Sequence, residues 1–534
     1  MTDAKKTSSA STATERRPVA VIDLGASAIR MEIAEIDAMG RVHSLETLQH
    51  PVNLGKDTFN AGQIEQETIE ECVSVLKGYR RVLLDYGIDR PDHIRAVATS
   101  SVREARNRQT FLNRLFIASH IRVEAIEESE VNRLTYIAVR DGLERWGGLD
   151  AHDTLIVEVG GGSTEVLLVQ DKHVTLSRTY RLGALRMRET LETSRTPANR
   201  MASILGRHIQ RTVDQIHRTI PPEPVQRMIA LGGDVRIAAD ELVPDKSDER
   251  LVSIPLKRFY QFARKVAATA VDELARTYHL GFQDAETLGP ALLAYAQLAD
   301  SFDVQELLIS KITLRDGLLL EMATRGMWTD HFRDQIVHSS KQLGEKYNYE
   351  EKHAHHVAEL CGALFQELSD EHELDPRYEL LLRVAALLHE VGLYVGNQSH
   401  HKHSQYLIMN SDLFGLSRKD TLMVALIARY HRRAIPKASH IEYAALPETD
   451  QLIVAKLSAL LRIADALDQN HMQQIRDIQF QRNGRQLMIR VRGVEDLTLE
   501  RFALRDKGQL FRDIFGLTVE IRRDAKLRGI QHVR

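Results

Sequence analysis

Cysteine is nearly absent from this chain. Of 534 residues only Cys72 and Cys361 are cysteines, too few for a disulfide framework and in keeping with a reducing cytoplasm. Long apolar runs are missing too: no segment approaches the ~18 uninterrupted apolar residues that a membrane span needs. Charge of one sign is not in excess. With a formal net charge of −3, no global field draws the chain toward nucleic acid or anionic lipid. A polyanionic ligand therefore has to be held by a local basic or amide-lined site. Met1–Arg17, rich in Ser, Thr, Ala and Lys, contains no apolar stretch and is expected to be a disordered tail, not a secretory signal. Hydrophobic residues at 43% and charged residues at 27% are ordinary for a globular protein, and the length predicts several domains. The expectation is a cytoplasmic multidomain protein without a membrane or specific nucleic-acid partner.

Strand-like and helix-like segments alternate from residue 18 onward, which predicts an α/β class. Pro18–Ala34 is β-rich around Asp23-Leu-Gly25. Helical spacing follows over Glu65–Tyr86, then a strand over Ile94–Thr99, a helix over Val102–Phe116, a strand over Arg122–Ile126 and a helix carrying Glu130 to Val139. The scheme then restarts. Ile22-Asp-Leu-Gly-Ala-Ser-Ala-Ile-Arg-Met-Glu-Ile33 can be laid over Val157-Glu-Val-Gly-Gly-Gly-Ser-Thr-Glu-Val-Leu-Leu168, an internal repeat of strand, acid, glycine turn and strand. A third glycine turn, Leu231-Gly-Gly-Asp234, comes after the Pro221-Pro222 pair. From about Thr329 the chain reads as helical, and 12 of its 23 histidines fall between His331 and His440. Alternation over Leu487–Arg492 and Leu517–Arg522 around a helical Arg501–Phe515 predicts a small α+β appendage. The expected divisions are a tail at 1–17, lobes at 18–140 and 141–328, a helical domain at 329–478 and the appendage at 479–534.

Glycine admits positive φ and lets a ligand approach the backbone without a Cβ in the way. Successive amides in such a turn form an anion-binding nest, to which the Ser163 and Thr164 hydroxyls can add donors. A single loop of this kind is equally what a tight hairpin requires; three loops, each after an apolar run, favour a shared anion cleft. The carboxylates of Asp23, Glu158 and Glu165 would repel phosphate unless a divalent cation lies between, which points to Mg²⁺ or Mn²⁺. Thr99-Ser-Ser-Val-Arg103 opens a helix after a strand, a natural phosphate site, although an ordinary N-cap reads the same way. The candidate phosphate ligands are thus Gly25, Ser27, Thr99, Ser100, Arg103, Gly160, Gly161, Gly162, Ser163, Thr164, Gly232 and Gly233, with Asp23 and Glu158 as cleft metal ligands.

Taken in order, Asp23-Leu-Gly25, Ala98-Thr-Ser-Ser-Val-Arg-Glu-Ala-Arg-Asn107, Glu158-Val-Gly-Gly-Gly-Ser-Thr-Glu165, Arg181-Leu-Gly183, Leu231-Gly-Gly233 and Leu314-Arg-Asp-Gly317 resemble the exopolyphosphatase/guanosine pentaphosphate phosphohydrolase (Ppx/GppA) family. The resemblance implies two ribonuclease-H-like lobes of the actin-like fold and Mg²⁺-assisted hydrolysis of a terminal phosphoanhydride, in inorganic polyphosphate or a guanosine polyphosphate nucleotide. It also implies a homodimer. Several positions depart from the family pattern. The slot of the base glutamate is Val131, within Glu127-Glu-Ser-Glu-Val-Asn-Arg-Leu134. Glu130, one residue and about 100° away on a helix, and Glu165 are then the candidate catalytic carboxylates. Glu158 replaces an aspartate, the first loop reads Gly25-Ala-Ser-Ala28, and Asp234 stands where a hydroxyl residue is expected.

In the helical region Leu388-His-Glu-Val-Gly392 and Tyr430-His-Arg-Arg433 are similar to the longer family members. His353-Ala-His-His-Val-Ala, Leu388-His389-Glu390 and Ile463-Ala-Asp465 resemble an HD-type metal phosphohydrolase, with His400 and His431 between them. That resemblance implies a second divalent-metal site at His353, His389, Glu390 and Asp465. Three functions follow: a phosphoanhydride hydrolase in the cleft, a non-catalytic sensor of polyphosphate or guanosine tetraphosphate using the same cleft, and a metal-dependent phosphohydrolase in the helical domain.

Overall fold

The computed structural model describes residues 16–143, 148–149, 152–193, 198–220, 225–246, 249–324, 329–432 and 434–523. Residues 1–15 of the expected tail, the Pro221-Pro222 pair, residues 325–328 at an expected boundary, and Arg433 lie outside them. The chain divides into two units, Met1–Met327 and Trp328–Arg534.

The first unit is built on two sheets. In one, β1 (Arg17–Leu24), β2 (Ala28–Ile36), β3 (Val42–Pro51), β4 (Ile94–Ala98) and β5 (Val123–Ala125) lie in the order β3-β2-β1-β4-β5. In the other, β6 (Thr154–Val159), β7 (Thr164–Gln170), β8 (His173–Tyr180), β9 (Arg227–Leu231), β10 (Leu251–Pro255) and β11 (Glu306–Ser310) lie in the order β10-β11-β9-β6-β7-β8. Each sheet therefore has an antiparallel three-strand meander whose first strand pairs in parallel with the next strand in the chain. The repeated sequence unit is the same hairpin in both sheets, β1–β2 and β6–β7. The central strands are covered on both faces, which is why β1 reads as a continuous apolar run and not as an alternation: Val19, Ala20, Val21, Ile22 and Leu24 are all fully buried.

Register then places the hairpin turns. Leu24 pairs beside Ala98 and Glu158 beside Leu231, so each glycine turn sits at the carboxyl end of a parallel strand pair. The helices Ser100–Glu104 and Gly233–Leu242 start at those same ends. Ligands of open α/β sheets bind at this edge.

The expected single helix over Val102–Phe116 is two, Ser100–Glu104 and Arg108–Ser119. Asn107 interrupts it by bracing Ile64: the Ile64 amide donates to Asn107 Oδ1 at 3.0 Å, and Asn107 Nδ2 donates to the Ile64 carbonyl at 2.8 Å. Two tertiary hydrogen bonds outweigh local helix propensity there.

The second unit is helical up to Leu467. A three-stranded sheet follows, β12 (Ile478–Asn483), β13 (Gln486–Val491) and β14 (Thr518–Arg523), in the order β12-β13-β14. The expected Arg501–Phe515 helix is split at Gly508 into Thr498–Lys507 and Gln509–Phe515. Among the described residues no helix is long and apolar enough to cross a membrane.

Gly183 fixes how closely the second hairpin turn seats. A Cβ there would run into the backbone of Gly161 and Gly162. Gly183→Ala should lower the unfolding free energy by about 1–3 kcal/mol, the usual cost of overpacking, in urea denaturation followed by circular dichroism. Gly78→Ala, on a helix where an added Cβ meets nothing within 4 Å, should raise stability by roughly 0.5–1 kcal/mol.

Candidate active-site cleft and a histidine-lined pocket

The two hairpin turns face one cavity of about 290 Å³. In the first, the Gly25 amide donates to the Ala28 carbonyl at 3.0 Å. The carbonyls of Ala26 and Ser27 accept from the amides of Gly55 at 2.7 Å and Val52 at 2.9 Å. In the second, the Gly160 amide donates to the Ser163 carbonyl at 2.8 Å. The carbonyls of Gly160 and Gly161 accept from the amides of Ala184 at 2.8 Å and Arg186 at 3.0 Å, and the Gly162 carbonyl from Arg186 Nε at 2.8 Å. Both loops thus have their carbonyls bound, while the amides of Ala26, Ser27, Gly161 and Gly162 have no protein acceptor among the described residues. Donor groups without acceptors are what an anion nest offers.

The third turn is locked to the second. The Val159 amide donates to Tyr295 Oη at 2.7 Å, and the Tyr295 hydroxyl in turn donates to the Leu231 carbonyl. Gly232 carries the adjoining bend at φ +114°, and a Cβ there would press on the same tyrosine oxygen.

The cavity brings together Asp23, Gly25, Ser27, Thr99, Ser100, Arg103, Glu158, Gly160, Gly161, Gly162, Ser163, Glu165, Gly232 and Gly233. Two candidates lie elsewhere. Thr164 is fully buried, and its hydroxyl donates to the Leu182 carbonyl at 2.5 Å, because successive residues of a strand point to opposite faces. Glu130 does not line the cavity. Its carboxylate takes two hydrogen bonds from Arg133, at 2.9 and 2.6 Å, and Arg133 also bonds Glu321. The residue of that helix that lines the cavity is Val131. The cavity also holds Arg30, Asp284 and Thr287, which no local pattern singled out, and Arg315 from the Leu314-Arg-Asp-Gly317 motif, to which no ligand role had been given. Arg30 had one signal: it occupies the place of Glu165 when the two hairpins are superposed.

That difference sets the electrostatics. Arg30 stands opposite Asp23 across the first hairpin, whereas Glu165 stands opposite Glu158 across the second. Burial pushes Glu165 up to about 8, and the facing Glu158 adds to the shift. Glu158 is raised by burial, with Asp23 adding to it and Arg236 opposing. Burial also raises Asp23 against the pull of Arg30 and Arg315, and raises Asp234 to about 6 against a hydrogen bond from the Thr287 hydroxyl at 2.8 Å. Four arginines (Arg30, Arg103, Arg236, Arg315) face five carboxylates (Asp23, Glu158, Glu165, Asp234, Asp284), and Arg103 already donates to the Ile126 carbonyl at 2.9 Å and to Glu128 at 3.1 Å. An added phosphate needs further positive charge. The Asp23 Oδ1 atom is buried without a hydrogen-bond partner, and an all-oxygen donor set suits a hard divalent cation such as Mg²⁺.

The helical unit carries a second polar centre. His353 lies on the helix Glu351–Glu367, His389 caps Arg377–Leu388, His400 begins His400–Met409, and His431 follows Arg418–Arg429. Asp465 is near the end of Glu448–Leu467. All five are buried. The Nδ1 atoms face outward to oxygens, at 2.8 Å from Asp468 for His353 and 2.6, 3.2 and 2.6 Å from the carbonyls of Ala386, Asn397 and Ala428 for His389, His400 and His431. This fixes the tautomers so that Nε2 offers a lone pair, the usual outer support of a metal-ligating histidine.

The Nε2 atoms of His353 and His389 lie 3.8 and 3.9 Å from Asp465 Oδ1 and are buried without hydrogen-bond partners. Glu390 Oε2 is 3.9 Å from the His353 Nε2 and equally unpartnered. Burial lowers the pKa of His389 and drives that of His431 well down. Burial opposes charge on His353 as well, but Asp468, Glu390 and Asp465 outweigh it and raise its pKa. His353, His389 and Asp465 are close enough to one another to share one ion, and the imidazole-rich set fits a divalent transition metal.

Comparison with known proteins agrees with this architecture. The Ppx/GppA phosphatase family model matches residues 32–326, and the model for domain III of that family matches residues 336–507. A guanosine-5'-triphosphate,3'-diphosphate pyrophosphatase from Photobacterium profundum is 24% identical over 461 residues, covering 84% of this chain and 86% of the relative. An exopolyphosphatase from Cytophaga hutchinsonii superposes with a TM-score of 0.52 at 19% identity, over 58% of this chain and 98% of that one. An exopolyphosphatase-like protein does so with a TM-score of 0.51 at 22% identity, over 58% and 99%. The structural likenesses establish the actin-like α/β fold of the two lobes. Since the first family model alone spans more than half of the sequence, the chain belongs to the Ppx/GppA phosphatase family.

Proposed function

We propose that the cleft hydrolyses the terminal phosphoanhydride of inorganic polyphosphate, with guanosine pentaphosphate as a further substrate. The observation that carries this reading is the pair of facing glycine turns whose carbonyls are bound and whose amides are free to accept an anion from two sides. The names of the relatives, an exopolyphosphatase and a guanosine pyrophosphatase, support the substrate class. The turn amides, Arg30, Arg236 and Arg315 hold phosphate oxygens. Asp23 and Glu158 are the residues that would hold Mg²⁺, which when bound supplies the charge that lets phosphate stand among carboxylates. Glu165, its Oε1 accepting from the Ser163 hydroxyl at 2.6 Å, is the carboxylate placed to take the proton of the attacking water. Glu130 is set aside for this role because Arg133 engages both of its oxygens.

A second reading, a binder that holds the same ligands without cutting them, is favoured by Val131 lining the cavity. Phosphate release from long-chain polyphosphate with Mg²⁺, measured beside calorimetric binding, separates the two: binding without release would leave only the sensor. We also infer that the histidine pocket is the second divalent-metal site implied by the HD-type resemblance.

Glu165→Gln should reduce phosphate release by about 100-fold or more, the usual weight of a general base, with binding retained; Glu130→Gln should stay within about twofold, on the same scale. Val131→Glu, which adds a carboxylate to the cavity wall, should raise kcat by about tenfold or more.

The raised Glu165 also makes a pH prediction. Its folded pKa of about 8 exceeds the ordinary 4.5, so the folded state retains a proton that the unfolded chain has lost. Its stabilising effect is complete below about pH 4.5 and is lost as pH rises through 8. In EDTA the Tm of the first unit should therefore fall between these values, Glu165→Gln should flatten the slope, and Mg²⁺ should raise Tm more at pH 8 than at pH 6.

A further inference from the structure

The carboxylate at the centre of the histidine pocket already holds a cation of the chain's own. Lys507, the last residue of the helix Thr498–Lys507, donates from Nζ to Asp465 Oδ2 at 2.6 Å. Its side chain is only 14% exposed, so this is a buried ion pair and not a surface contact. The other carboxylate oxygen, Oδ1, faces the unpartnered Nε2 atoms of His353 and His389. One side of Asp465 is thus satisfied by an ammonium, and the other opens onto Nε2 atoms that have no hydrogen-bond partner among the described residues.

A neighbouring pair of histidines has the same character. The Nε2 atoms of His400 and His431 are 3.2 Å apart, with both Nδ1 atoms turned to carbonyls. Two lone pairs at that distance repel, yet it is close to the separation of two imidazoles on one ion, about 3.3 Å for a tetrahedral angle with metal–nitrogen bonds of about 2.0–2.1 Å.

We propose that Lys507 is a tethered counter-cation for this pocket, opposing a divalent transition metal ion that takes Asp465 with the Nε2 atoms of His353 and His389. The inference rests on reading the pocket as a metal site. A divalent ion and an ammonium sharing one buried carboxylate repel each other strongly at low dielectric, so each weakens the other's hold. The flexible four-carbon stem of lysine lets its charge withdraw without unfolding the helix that carries it. Gly508, directly after Lys507, separates that helix from Gln509–Phe515. Metal occupancy and the seating of Lys507 are then linked, which ties the pocket to the β12–β14 module. Imidazole donors favour Mn²⁺, Fe²⁺, Co²⁺, Ni²⁺ or Zn²⁺ over Mg²⁺.

Co²⁺ tests the proposal on the full chain, by calorimetry and by its visible absorption, with His389→Ala marking the signal that belongs to this pocket. Lys507→Met, which keeps the stem and removes the charge, should bind Co²⁺ at least about tenfold more tightly than the wild type, given the strength of buried charge repulsion. Lys507→Arg should bind like the wild type. Binding by Lys507→Met that is equal or weaker overturns the counter-cation and leaves the metal site standing. No His389-dependent Co²⁺ signal in either protein overturns the metal site and the proposal with it. A second measurement needs no variant: acetylation of Lys507 in the wild type, followed by mass spectrometry, should speed up severalfold on Co²⁺ loading. An unchanged or slower rate contradicts displacement even where Lys507→Met folds poorly.

Discussion

Two glutamates standing directly opposite each other on paired strands set the terms for the whole cleft. Like charges at such positions destabilise a sheet, and burial makes the confrontation of Glu158 with Glu165 harsher. The first hairpin meets the same geometry with Asp23 against Arg30 and is internally balanced. The repeated unit has thus been used twice with opposite electrostatic outcomes. One hairpin presents amides beside a neutral pair; the other presents amides beside a pair that calls for a proton or a cation. Arg236 and Arg315 reduce the excess without removing it, since the cavity still has more carboxylates than guanidinium groups. The need for a proton or a cation comes from that imbalance.

What the sequence made legible follows from how local each cause is. Glycine runs between apolar strands have few physical uses, so the two hairpins, their internal repeat and the turn residues could be located from residue type and spacing alone. Position on a face could not be located as well. Thr164 lies within the glycine-hydroxyl motif, but strand alternation turns it into the core, while its neighbours Ser163 and Glu165 face the cavity. On the helix after β5, a difference of one residue separates Val131, which lines the cavity, from Glu130, which Arg133 captures. Asp284 and Thr287 reach the cleft only because a distant helix folds against the hairpins, and no periodicity in their own neighbourhood announces it. The same holds for the breaks at Asn107 and Gly508, where tertiary bonds or a single glycine end a helix that periodicity alone would continue.

The chain carries two polar centres of different hardness. The cleft offers carboxylate oxygens and backbone amides, a setting for phosphate and a hard cation. The pocket of the helical unit offers imidazole nitrogens, each with its tautomer fixed by an oxygen behind it, a setting for a softer ion. The histidines come from four separate helices and their ends, so their convergence is a property of packing; histidine enrichment alone does not specify it. Burying imidazole nitrogens without hydrogen-bond partners is costly, and the Lys507–Asp465 pair compensates only the carboxylate beside them.

Tyr295 has a mechanical consequence. Its one hydroxyl both receives the Val159 amide and donates to the Leu231 carbonyl, so the second and third turns are bolted through a single oxygen. These two turns therefore move as one jaw. On the opposite wall the Gly25 turn is tied to its own lobe through Val52 and Gly55. The cleft is therefore walled on both sides by internally braced turns, not by free loops.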